Sequence, residues 1–179
     1  MLKSILASCI LCVPVWSAPP VRKPITLVME GESVALGMTK SQIATKFKNY
    51  KITSMGEGAQ VPASDSWMVM TKEAPFRAIS NIAFKNEKAY CIYKYYDNVN
   101  DENPTSIANT LSEILTNWTA EYGNNFTVHT NTKVQADLIQ RMVILSYLNR
   151  HLYIASTEGI IPPVTKKISH TTLYEILGD

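Results

Sequence analysis

Cysteine, charge of one sign and long apolar runs are all scarce in this chain, and each scarcity closes off a class of protein. Of 179 residues three are cysteine, and Cys9 and Cys12 lie close to the start. That leaves Cys91 alone in the remainder, so a fold stapled by internal disulfides is excluded. Seventeen basic residues face fifteen acidic ones, dispersed along the chain. Nucleic acid demands a concentrated basic face, so it is excluded as a partner. No apolar stretch approaches the roughly 20 residues that span a bilayer as a helix. Catalytic and metal patterns are missing too. His129, His151 and His170 are far apart and none stands in a metal spacing. No Gly-x-Ser-x-Gly occurs, and Cys91 sits in mid-strand in the alternating run Ala89-Tyr90-Cys91-Ile92-Tyr93. No cofactor is expected.

What is present begins with an export signal. Lys3 is followed by an apolar run from Ile5 to Trp16 and by small residues, with Val15-Trp16-Ser17 before Ala18 as the cleavage site. Leu6-Ala7-Ser8-Cys9 also has the form of a lipoprotein box that would acylate Cys9, but only a very short apolar stretch precedes it. Residues 1–17 therefore read as a signal peptide, and the mature protein as periplasmic or secreted. Residues 18–36 read as an extended, proline-bearing leader and first strand.

The next segment is a nearly complete helix start, Gly37-Met38-Thr39-Lys40-Ser41-Gln42-Ile43. Thr39 at the cap and Gln42 three residues on make a capping box, and Met38 and Ile43 have the spacing of a hydrophobic staple. The helix is expected from Lys40 to about Lys48. Strands are expected at 67–70, 76–84 and 89–96, the last two joined by the polar turn Lys85-Asn86-Glu87-Lys88. Asn103-Pro104 opens a second helix, with Asn103 as cap. Its stripe is Ile107, Leu111, Ile114, Leu115, Trp118 and Tyr122, and Gly123 ends it. Strands at 126–132, 138–147 and 152–157 follow, and a short closing helix is expected within 172–177.

The fold class expected from this order is α+β, with two helices packed on one face of an antiparallel β-sheet. A shift of 63 residues lays Ile82, Phe84, Asn86 and Tyr90 on Leu145, Tyr147, Asn149 and Tyr153. A tandem helix-strand-hairpin repeat, with halves 37–97 and 103–157, would give one domain over 37–157. Residues 158–179 then form a C-terminal tail.

The Gly37–Ile43 motif, the tryptophan strand and the Phe84-Lys85-Asn86-Glu87-Lys88 hairpin together resemble the SmpA/OmlA-like and β-lactamase-inhibitor-like (BLIP-like) domains. The resemblance covers residues 36–96, or 36–157 in duplicated form. It implies an exported, non-enzymatic domain that contacts a protein partner, as an inhibitor or as an envelope-assembly factor. The contact residues expected are Tyr90, Tyr93, Tyr95 and Tyr96, which crowd one strand; alternation sends them to both of its faces. Two other functional readings stand beside this one: an envelope lipoprotein acylated at Cys9, and a small secreted hydrolase or ligand-binding domain using the tyrosine face. The oxygen-rich stretch Asp97–Asn103 lacks the ligand register of a calcium loop. Asn125 in Asn125-Phe126-Thr127 is the better placed of two glycosylation acceptor patterns.

Overall fold

The computed structural model describes residues 24–55, 65–96, 104–135, 138–160 and 167–178. The signal segment, the Asp97–Asn103 stretch and with it the Asn103 cap lie outside the described residues.

The chain begins with a hairpin, β1 (Thr26–Met29) and β2 (Glu32–Ala35). Its two-residue turn has positive φ at Glu30 and Gly31, the backbone twist that tight hairpins favour. A short helix, α1 (Lys40–Lys46), follows. The meander β3 (Lys51–Met55), β4 (Ser66–Met70), β5 (Ala78–Lys85) and β6 (Lys88–Tyr95) comes next. The long helix α2 (Pro104–Tyr122) leads into a second meander, β7 (Thr127–Gln135), β8 (Leu138–Tyr147) and β9 (Arg150–Ile160). The last strand, β10 (Lys167–Gly178), closes the chain.

Eight strands form one antiparallel sheet in the order β3-β4-β5-β6-β10-β9-β8-β7, and β1-β2 form a second sheet. Each helix is thus followed by a meander whose last strand abuts β10, β6 from one side and β9 from the other. At the β6 junction Gly178 lies opposite Cys91, and a Cβ there would come within 3.0 Å of the Cys91 sulfur. A larger residue there would require Cys91 to give way by a few tenths of an ångström.

Ten strands in two antiparallel sheets against two helices among the described residues make this a mostly β protein, which overturns the α+β expectation. The principal cause lies in residues 167–178. They are neither a tail nor a helix, but a twelve-residue strand in the interior of the sheet. Leu173 and Leu177 are four apart, a spacing that suits one helix face and one strand face equally, so the pattern alone misassigns them. Among the described residues no helix is long and apolar enough to cross a membrane.

The core has two parts. In one, Ile43 and Phe47 of the α1 segment and Leu27, Met29 and Val34 of the hairpin pack on Ile82, Ile92 and Leu177. In the other, Ile114, Trp118 and Tyr122 of α2 pack on Leu145, Leu152 and Leu173. Each such fully buried side chain contributes about 1.5–3 kcal/mol. Cross-strand register places these sheet residues on the same side, so both helices and the hairpin share one face.

Candidate functional site

The opposite face has no described element packed on it, and register assembles its surface. Tyr95, Tyr174 and Tyr153 stand directly opposite one another on β6, β10 and β9. Tyr153 and Tyr174 stack with ring centroids 4.9 Å apart and 3° between planes, and Tyr93 stacks on Tyr174 at 6.4 Å. The next row runs through Ser146, His151, Ile176, Tyr93, Asn81 and Met68. All four tyrosine rings are half-buried by their neighbours. Burial raises the pKa of each hydroxyl, that of Tyr93 to about 12, so all four stay neutral hydrogen-bonding groups at physiological pH. His151 shares a 2.8 Å hydrogen bond with the Ser146 hydroxyl, and burial lowers its pKa.

Charge on this face is one-sided. The carboxylates of the eight-stranded sheet are Glu158 and Glu175, and alternation puts both on the helix-covered side. Lys51 and Lys133 stand on the tyrosine side, one on each outermost strand. The surface is therefore aromatic and apolar at its centre and cationic at two edges.

The structure separates the four tyrosines picked out by sequence. Tyr93 and Tyr95 belong to the open face. Tyr90 is the extra residue of a bulge, since Phe84 pairs with Ala89 and Ala83 with Cys91, and its ring is exposed. Tyr96 turns to the covered side, where its hydroxyl donates to Glu175. Tyr153 and Tyr174 complete the open row and were missed, because their strands are remote in sequence from β6. At the helix start Thr39 accepts from the Gln42 backbone at 3.3 Å and Gln42 Oε1 accepts from the Thr39 backbone at 2.9 Å. These caps hold α1 and touch no site.

The covered side holds a second constellation, a cleft of about 640 Å³ between α2, the hairpin and β6. Glu175 is fully buried and Arg150 nearly so. Arg150 Nε donates to Glu175 Oε2 at 2.8 Å, and Nη1 donates to the Tyr122 hydroxyl at 2.7 Å and to Glu121 at 3.3 Å. The guanidinium also lies over the Trp118 ring, 5.0 Å from its centroid. Lys94, directly opposite Glu175 in register, points its ammonium at the Tyr96 ring instead, at 4.3 Å. Burial lowers the Lys94 pKa, opposed by the charge of Glu175. These groups escaped sequence reasoning for a definable reason. Once 173–177 is read as a strand, Glu175 falls on the same side as Leu173 and Leu177, and a carboxylate in an apolar row signals a buried pair.

Among the described residues no group of three His, Cys, Asp or Glu side chains is placed to hold a metal ion, and Cys91 is a free thiol. No family model, curated protein or solved structure matches the chain. Nothing in these comparisons identifies the assembly-factor or inhibitor domains that the helix start and first hairpin resemble.

Proposed function

We propose that this chain is an exported, non-enzymatic binding domain that docks a protein partner on its tyrosine face. The observation that carries the reading is the contiguous row Tyr95, Tyr174 and Tyr153, with Tyr93 stacked beside it, on a face where the described strands place no carboxylate. Tyrosine buries large area at low entropic cost and keeps a polar tip, which is why it anchors interfaces. The lysines at the two edges suit a partner with an apolar centre flanked by acidic side chains. Export rests on the N-terminal segment with its Ser17–Ala18 junction.

The test places a photo-crosslinking residue at position 153 and, as a control, at position 112 on the exposed side of α2, in the native host. One discrete polypeptide adduct from position 153, absent from position 112 and lost with Tyr174→Ser, is the expected result. Identical adducts from both positions would remove the proposal. So would an adduct of twice the chain's own mass, which would assign the face to self-association.

A further inference from the structure

The eight-stranded sheet ends on one side at β7, and this edge is independent of the tyrosine reading. The nine residues of β7 pair with β8 one to one, without a bulge. Alternate residues of an antiparallel strand turn both main-chain groups to the same side, so every second residue of β7 faces away from β8. Among the described residues, these outward groups have no backbone partner. Every side chain from Thr127 to Val134 is exposed, so nothing described covers the strand. Natural sheets blunt such an edge with proline, a bulge, several charges or a very short strand. β7 has no proline, no bulge and one permanently charged residue, Lys133. Its order is also nearly the same in both directions about Asn131: Val128-His129-Thr130-Asn131-Thr132-Lys133-Val134.

We propose that β7 pairs with β7 of a second copy of this chain, antiparallel and with the twofold axis at Asn131. A twofold interface must be complementary to itself, and this strand is. Val128 falls opposite Val134, Thr130 opposite Thr132, and Asn131 opposite Asn131. The two valines, 58% and 69% exposed, share one side of the strand with the two threonines. Each copy therefore covers the other's apolar groups with β-branched partners. Lys133 falls opposite His129 and never opposite itself, whereas a parallel in-register stack would align the lysines of every copy. The axis stands perpendicular to the sheet, so both tyrosine faces come to lie on one side. The other outermost strand, β3, offers no such match: it has five residues, and about its centre Ile52 would meet Ser54. The pairing therefore closes at two copies.

The experiment is sedimentation velocity of the purified mature protein over a concentration series, with cross-linking beside it. A monomer–dimer equilibrium is expected. Asn131→Lys sets two ammonium groups against each other at the axis and should weaken the dimer about tenfold or more. In a Cys91→Ala background, a short bismaleimide should join Asn131→Cys copy to copy. Thr127→Cys should not be joined, because its two copies would lie about 27 Å apart along the strands. A chain that stays monomeric up to about 1 mM overturns the proposal. So do equal cross-linking at both positions, a dimer untouched by Asn131→Lys, and assemblies that grow beyond two copies. The cross-linking comparison stands even where Asn131→Lys fails to fold.

Discussion

The two helices sit on the same face of one sheet, yet they are attached to it by different means. α1 is seven residues long, too short to be stable on its own. Its N-terminal end is tied to the β5–β6 hairpin through the backbone: Gly37 N–H donates to Ala89 O at 2.7 Å, Ala89 N–H to Met38 O at 2.8 Å, and Lys40 N–H to Glu87 O at 3.2 Å. The Lys40 ammonium adds Asp65 at 2.8 Å and Glu87 at 3.0 Å. α2 spans nineteen residues and is seated on the sheet by side chains: the Trp118 and Tyr122 rings, with Arg150 reaching up from β9. A short helix is defined by its start and its neighbours' backbone. A long one can carry a buried polar cluster, because its own ladder already satisfies its main chain.

That contrast can be broken at its strongest point. Arg150→Ala leaves Glu175 fully buried without its cation, and is expected to cost about 3–5 kcal/mol in urea unfolding. The double change Arg150→Met with Glu175→Leu should recover most of that loss, since it removes both charges together. If the single variant unfolds at the native midpoint, α2 does not depend on the ion pair.

At α1 the expected effect is smaller. Thr39→Ala removes the acceptor for the Gln42 amide and should lower stability by about 1 kcal/mol by the same measurement. A loss as large as that of Arg150→Ala would mean that the cap governs the whole fold and not one helix end.

The smallest effect separates the two regions by salt. Raising ionic strength screens the exposed Lys40 pairs with Asp65 and Glu87 but hardly the buried Arg150–Glu175 contact. Hydrogen exchange at the Ile43 and Phe47 amides is expected to quicken with salt, while exchange at the Tyr122 amide stays unchanged. Equal acceleration at both would erase the distinction.

Much of the local structure was legible because its signals are local. The α2 limits follow from Pro104 and Gly123, with Gly123 N–H closing on Thr119 O at 2.9 Å. The strand over 138–147 follows from its apolar content and the turn after it. The Thr39–Gln42 box follows from residue types at fixed offsets. The candidate sites were less legible. Tyr93 and Tyr95 could be placed on one strand face, but Tyr174, with Tyr153 opposite it on β9, joins them through the β6–β10 pairing of strands remote in the chain. Tyr96 follows Tyr95 by one residue, so alternation carries it to the covered side, where it meets Glu175.

By itself, the sequence determined where α1 and α2 start and about where they stop, where most strands and hairpin turns lie, and which residue classes point to alternate sides. Capping, turn geometry and two-residue alternation act within a few positions, so a single chain displays them. Only the tertiary structure decided that the last strand lies between β6 and β9. That insertion joined the two meanders into one eight-stranded sheet, lined up the tyrosines and buried Glu175 against Arg150. Strand order and charge burial depend on which distant segments pair, and the free energy of pairing is distributed over a register that no local window contains.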